Sequence, residues 1–146
     1  MNKLSTLKSA NALPYVLAGL YAREKKLDDC IMLNDLGTIA ESVSSNLFIV
    51  LNRVLYTPSE TQGCVCGVMR DQVIDLARKN RLEVQECPLN PQHLVRADEV
   101  FLTNAVSGIR WVQAFRSKRY YNDVGRLLQE ALNKRVASLA MDLQEN

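Results

Sequence analysis

The chain has 146 residues, enough for one domain with a sizeable core, and its 47% hydrophobic and 23% charged content is ordinary for a soluble globular protein. With 18 Lys+Arg against 16 Asp+Glu, the formal net charge is +2, too mild to imply nucleic acid or an anionic membrane as partner. No apolar run approaches the roughly 18 residues that cross a bilayer, and no signal-peptide pattern opens the chain, so the expectation is a cytoplasmic protein without a membrane anchor.

In chain order, Leu13, Val16, Leu17, Leu20 and Tyr21 fall at helical spacing, which predicts a helix over about residues 11–26, with Pro14 tolerated in its first turn. "CIMLNDLGTIAES" then places two short apolar runs around an Asn-Asp-Leu-Gly turn and predicts a β-hairpin. "NLFIVLNRVLYTP" predicts two more strands about Asn52 and Arg53, closed by Pro58. The polar loop "SETQGCVCG" leads into "VMRDQVIDLARKN", whose Val68, Val73, Ile74 and Ala77 predict an amphipathic helix. "LEVQECPL" alternates as a half-buried strand does, and "NPQHLVRAD" suggests a helical turn. "EVFLTNA" and "IRWVQAF" are strand candidates around a Val-Ser-Gly break, and "RSKRYYND" reads as a solvated basic and aromatic loop. From Asp123 to Gln144, Val124, Leu127, Leu128, Ala131, Leu132, Val136, Leu139 and Leu143 form a helical stripe. These elements imply one α+β domain over residues 1–146, with a curled, barrel-like β-sheet flanked by helices.

The four cysteines, Cys30, Cys64, Cys66 and Cys87, lack paired metal-ligand spacing, and the single His93 cannot complete a zinc set. "CVC" is either a redox or metal pair or, as preferred here, two reduced thiols.

Four places combine reactive or anion-binding groups with turns. Lys8 stands ahead of the first helix, and Glu41 ends a hairpin strand before the polar run Ser42, Ser44, Ser45 and Asn46. Gly67-Val68-Met69 delivers backbone N–H groups to a helix start, an arrangement that favours a phosphate. "LTNAVSG" is a polar break able to bind an anion through Thr103, Asn104 and nearby amides. Each also has a plainer reading as solvated lysine, surface glutamate or empty loop, and spacing alone does not join them.

In order, "LKSANALPYVLA", "DDCIMLNDLGTIAESVSSNLFIV", "LYTPSETQGCVCGVMRDQVIDLA", "EVQECPL" and "LVRADEVFLTNAVSGIRWV" resemble the class IV aminotransferases, the fold-type IV pyridoxal-phosphate enzymes. The likeness runs from Lys8 to about Asn133. It implies that Lys8 bonds to C4′ of pyridoxal 5′-phosphate and later shuttles a proton, for which its amine must be neutral near pH 7. It implies that Glu41 faces the pyridine nitrogen and that Val65 packs on the ring. The amides of Val68 and Met69 would cradle the phosphate, completed by Asn104 or Ala105, while Asn46 and the serines before it shape the turn beneath. A small-molecule amine substrate and a homodimer are implied as well.

Within the family, branched-chain transaminases carry a tyrosine five positions after the lysine, where this chain has Leu13. They and the D-amino-acid transaminases favour Thr at the position of Met69 and hydroxyl-rich residues at "TNAV". Met69 and Asn104-Ala105 are closer to aminodeoxychorismate lyase, which releases pyruvate and p-aminobenzoate. The expectation is therefore the lyase, with amino-acid transamination or a non-catalytic cofactor-binding fragment as alternatives.

Complete members also place a smaller domain of about a hundred residues or more ahead of the lysine. Only seven residues precede Lys8 here, so the expectation is the large cofactor-binding domain alone, with a separate N-terminal half as an alternative partner. Trp111 is read as strand-face packing and Arg70 as a polar contact in the first turn of its helix. Tyr15 is set aside as a replacement for the missing tyrosine, on the expectation that the helix aims it elsewhere.

Overall fold

The computed structural model describes residues 12–143. Helix α1 (Leu13–Glu24) precedes a hairpin of β1 (Ile31–Leu33) and β2 (Ile39–Ser42). Strands β3 (Asn46–Leu51) and β4 (Val54–Pro58) follow, then a 3-10 turn over Glu60–Gln62 and helix α2 (Val68–Lys79). β5 (Val84–Cys87), α3 (Pro91–Arg96), β6 (Glu99–Asn104) and β7 (Gly108–Trp111) complete the main sheet. A small ribbon, β8 (Ala114–Phe115) and β9 (Lys118–Arg119), leads to α4 (Asp123–Asp142).

The five-stranded sheet runs β5-β4-β3-β6-β7. Neighbours are antiparallel except β4 and β5, which are parallel because α2 carries the chain across between them. The turn between β3 and β4 needs two left-handed residues, supplied by Asn52 at φ 51° and Arg53 at φ 64°.

Central β3 is covered on both faces, which explains its unbroken apolar run. Phe48 and Val50 join Leu55, Phe101, Val73, Ile74, Ala77, Leu128 and Leu132 beneath α2 and α4. Leu47 and Ile49 join Ile39, Leu89, Leu94, Val100, Leu102 and Tyr120 on the other face. Phe48 and Phe101, paired in register, stack with ring centroids 5.2 Å apart. The α4 end is capped from the sheet: Glu99 accepts the Asp123, Val124 and Gly125 amides at 2.9–3.0 Å, a carboxylate at the positive end of a helix.

Two expectations are corrected. The sheet is open rather than barrel-like, because its edges β5 and β7 stay unpaired with each other and β1-β2 and β8-β9 form separate two-stranded sheets. Five short strands do not supply the turn that closure needs, which small barrels reach with about eight. "RSKRYYND" is not a solvated loop throughout: it forms β9 and sends Tyr120 into the core, where its hydroxyl donates to Leu94 O at 2.7 Å. Of the α4 stripe, Leu128 and Leu132 are buried, while Leu127, Val136, Leu139 and Leu143 are exposed.

His93 has a structural role, since its Nδ1 accepts the Asn90 amide at 3.0 Å in a capping box at the start of α3. Arg70 is a polar contact, as expected, and a fully buried one: Nη2 donates to Pro58 O at 3.0 Å and Glu86 Oε2 at 2.9 Å, tying α2 to β4 and β5. Trp111 ends β7 half-exposed, with Nε1 donating to Tyr121 O at 2.9 Å. Among the described residues no helix is long and apolar enough to cross a membrane.

Candidate functional site

Glu41 is near the end of β2 and only 4% exposed. A carboxylate removed from water is costly unless donors surround it. Three do. The Tyr15 hydroxyl donates to Oε1 at 2.6 Å, the Val65 amide donates to Oε2 at 3.3 Å, and Asn46 Nδ2 reaches Oε2 at 3.4 Å. Burial still pushes the Glu41 carboxyl above its ordinary value, while the bonds from Tyr15 and Val65 pull the other way. The same pair holds the Tyr15 phenol well above its usual range, first through burial and then through the bond to Glu41. Tyr15 is therefore the donor and Glu41 the acceptor.

Asn46 links this carboxylate to the loop ahead of α2, because its Nδ2 also donates to Val65 O at 2.7 Å. That carbonyl accepts the Gly67 amide as well, at 2.9 Å. Gly67 is required here by space: a Cβ would run into Asn46 Oδ1. As the N-cap of α2, with φ −75° and ψ 137°, Gly67 brings no side-chain acceptor to the first-turn amides of Val68 and Met69. The N-terminus of a twelve-residue helix thus follows directly on the loop that holds Glu41.

The second loop arrives through register. Asn46 pairs with Thr103 across β3 and β6, and Asn104 Nδ2 donates to Ser45 Oγ at 2.9 Å. Asn104 Oδ1 is already engaged, accepting Val106 N at 2.9 Å, Ser107 N at 2.7 Å and Ser107 Oγ at 2.9 Å. Its side chain organises the β6–β7 turn, on which Ala105 is exposed. Thr103 Oγ1 is buried and has no hydrogen-bond partner among the described residues.

Of the residues expected at the site, Glu41 and Val65 are brought into contact, Val68 and Met69 begin the adjoining helix, and Asn104 and Ala105 form the neighbouring turn. The Met69 side chain packs on the core beneath α2, so what it has to offer a ligand is its amide. Lys8 lies outside the described residues. Tyr15 reverses the expectation that its helix aims it away. The signal was the small-residue spacing of Tyr15 with Ala18, Gly19 and Ala22, the face on which α1 packs: a Cβ on Gly19 would touch Val43 at 3.6 Å, and Ala22 is buried.

All four cysteines are unpaired. Buried Cys64, whose thiol is pushed up to about 11 chiefly by burial, points its sulfur at the carbonyls of Pro58 and Ser59. An open cleft of about 350 Å³ beside α1 is a separate feature, lined by Arg23, Ser44 and the Asp29–Arg110 ion pair but not by Glu41 or Val65.

The family model described as amino-transferase class IV matches residues 1–115. A Methanocaldococcus jannaschii protein named "Putative branched-chain-amino-acid aminotransferase" is 37% identical over 139 residues, 95% of this chain and 44% of that protein. The crystal structure of 4-amino-4-deoxychorismate lyase from Pseudomonas aeruginosa superposes with a TM-score of 0.84 at 31% identity, covering 90% of this chain and 49% of that one. That of the branched-chain amino acid aminotransferase from Thermobaculum terrenum in its PLP form superposes with a TM-score of 0.86 at 29% identity, covering 90% and 45%. The chain thus spans less than half the length of each of these three proteins.

Proposed function

The chain belongs to the amino-transferase class IV family, and we propose that it binds pyridoxal 5′-phosphate and carries the cofactor half of an enzyme acting on a primary amine. The observation that carries this reading is the buried Glu41 carboxylate, kept in place by three donors beside a helix start without a side-chain cap. The donor set suits the cofactor at both ends. Glu41 is an acceptor for a ring N–H, and the Val68 and Met69 amides are donors for a phosphate. Thr103 Oγ1, buried, without a partner among the described residues and next to Asn46 in register, is a further polar group at the same end of the sheet. The Thermobaculum terrenum structure in its PLP form, on the same fold, supports the assignment.

When bound, pyridoxal phosphate supplies a ring that takes up the electron pair released at the carbon bearing the amine. Glu41 then holds a proton on the ring nitrogen, for which the carboxylate must stay ionised. The helix dipole and amides at the start of α2 bind and orient the phosphate. Half-buried Val65 would cover one side of the ring and exclude water there. Lys8 Nζ would accept and return the proton at the substrate carbon, a role that requires its neutral form.

The finer reading is release of pyruvate from 4-amino-4-deoxychorismate. It is supported by Met69 and Asn104-Ala105, where hydroxyl-bearing residues mark the transaminases, and by the likeness to the Pseudomonas aeruginosa lyase. The second reading, branched-chain transamination, is favoured by the 37% identity to the Methanocaldococcus jannaschii protein.

Borohydride reduction of the chain with pyridoxal phosphate, followed by peptide mapping, is expected to label Lys8, and Lys8→Ala to remove the label. Equal labelling of other lysines with no effect of Lys8→Ala would overturn the site. Because the chain spans 44% of its Methanocaldococcus relative, labelling with slow or no turnover by this chain alone is expected. Where turnover is seen, p-aminobenzoate without a 2-oxo acid supports the lyase, and 2-oxo-acid-dependent amine transfer supports the transaminase.

A further inference from the structure

We infer that Tyr15 is a positioning residue for Glu41, its hydroxyl orienting the carboxylate and holding it ionised to receive the ring N–H of the cofactor. The inference rests on the cofactor reading above. Its geometric basis is the unequal sharing of the two carboxylate oxygens. Oε2 takes two long bonds, from Val65 N at 3.3 Å and Asn46 Nδ2 at 3.4 Å. Oε1 takes the Tyr15 hydroxyl at 2.6 Å, within the range of charge-assisted O–H···O⁻ bonds. An ionised carboxylate has about four acceptor positions, so Oε1 keeps one for a second donor.

Among the described residues no cation is paired with Glu41, and the donors they offer it are neutral. The groups facing it are the Tyr15 phenol from α1, Asn46 from β3, and Cys64 with the Val65 amide from the loop after β4; β1 sets the neutral Met32 opposite in register. The Cys64 thiol is uncharged at neutral pH, so Tyr15 supplies the shortest support the carboxylate has. It also ties α1, the helix that follows Lys8 in sequence, to the strand bearing Glu41.

The test compares the full chain with its Tyr15→Phe variant. In the cofactor-free proteins, carbon-13 NMR of labelled glutamate, assigned with Glu41→Gln, follows the Glu41 titration. The midpoint is expected to rise by about one pH unit in Tyr15→Phe. Pyridoxal phosphate affinity, followed by absorbance, is expected to fall by about tenfold below the wild-type midpoint, by about twofold at the shifted midpoint, and to recover at higher pH. A midpoint that does not move, with affinity lost equally at every pH, would make Tyr15 merely structural and overturn the inference. If Tyr15→Phe does not fold, 3-fluorotyrosine at position 15, a stronger donor of nearly the same size, must lower the midpoint. Failure of the wild-type chain to bind pyridoxal phosphate would sink the cofactor reading instead, while the titration in cofactor-free protein still decides the Tyr15–Glu41 relation.

Discussion

Helices α1 and α2 have the same length, twelve residues, and opposite relations to the core. α1 is the more apolar of the two, yet it buries only Ala22 and leaves Leu13, Val16, Leu17, Leu20 and Tyr21 at 47–62% exposure. α2 carries five charged residues in "VMRDQVIDLARK" but buries Arg70, Val73, Ile74, Leu76 and Ala77. Apolar periodicity therefore identifies a helix without saying which stripe is covered. α1 docks by its small residues and one phenol, so its grip on the sheet is short-range and polar. α2 docks by aliphatic bulk and a buried guanidinium. Each ends at the same site, α1 through Tyr15 and α2 through its uncapped first turn.

The largest break in this comparison comes from matched truncations. Ile74→Ala, at a side chain 5% exposed under the sheet, is expected to destabilise by roughly 2–5 kcal/mol. Leu17→Ala, at 57% exposure on α1, is expected to stay within about 0.5 kcal/mol in the isolated chain. Urea denaturation of both variants measures the contrast. Comparable losses would mean that the apolar stripe of α1 is covered in solution.

How legible all this was in the sequence depends on how far apart the deciding residues lie. The β3–β4 turn could be read locally, because the polar pair Asn52-Arg53 breaks an apolar run and Asn tolerates the left-handed conformation the turn needs. The α2 start was legible too, from a glycine directly ahead of an apolar-periodic run. Tyr120 was not: its burial requires a carbonyl on α3, 26 residues earlier, and nothing in "RSKRYYND" signals it. Nor was the Tyr15–Glu41 bond, another contact across 26 residues, which needs α1 to turn its small-residue face toward β2. Sheet closure failed as an expectation because it depends on the number and pairing of strands, which propensity does not count. At the candidate site, Glu41, Val65 and the α2 amides could be named through motif resemblance, whereas the hydrogen bonds that gather around Glu41 could not.

A smaller break concerns the α2 end of the site. Gly67→Ala keeps an allowed backbone conformation at φ −75° and ψ 137°, so its effect arises from the clash with Asn46. Overpacking of this kind costs about 1–3 kcal/mol, and moving Asn46 disturbs Glu41 and Val65 together. Pyridoxal phosphate affinity should fall about tenfold if that displacement is worth ~1.4 kcal/mol. In an Asn46→Ala background the same glycine substitution should add little, since the obstructing amide is gone. Additive losses in that double-mutant cycle would remove Asn46 as the cause.

The smallest expected effect sharpens the contrast on the solvent side of α2. Asp75 accepts from Arg135 Nη2 of α4 at 2.6 Å and from Lys79 at 3.0 Å, while Arg135 Nη1 donates to Gln72 at 2.6 Å. These cations hold the Asp75 carboxyl below its ordinary value, the bond from Arg135 contributing most. A carboxylate depressed in the folded state stabilises the protein above its unfolded pKa, about 3.9, and loses that contribution as pH falls through the lower folded value. Asp75→Asn should therefore lower Tm slightly at pH 7, and the gap from wild type should close as pH is taken below 4. Because Asp75 is half-exposed, added salt should narrow the gap as well. A gap that persists unchanged in acid would assign the loss to the altered hydrogen bonding of the amide rather than to charge.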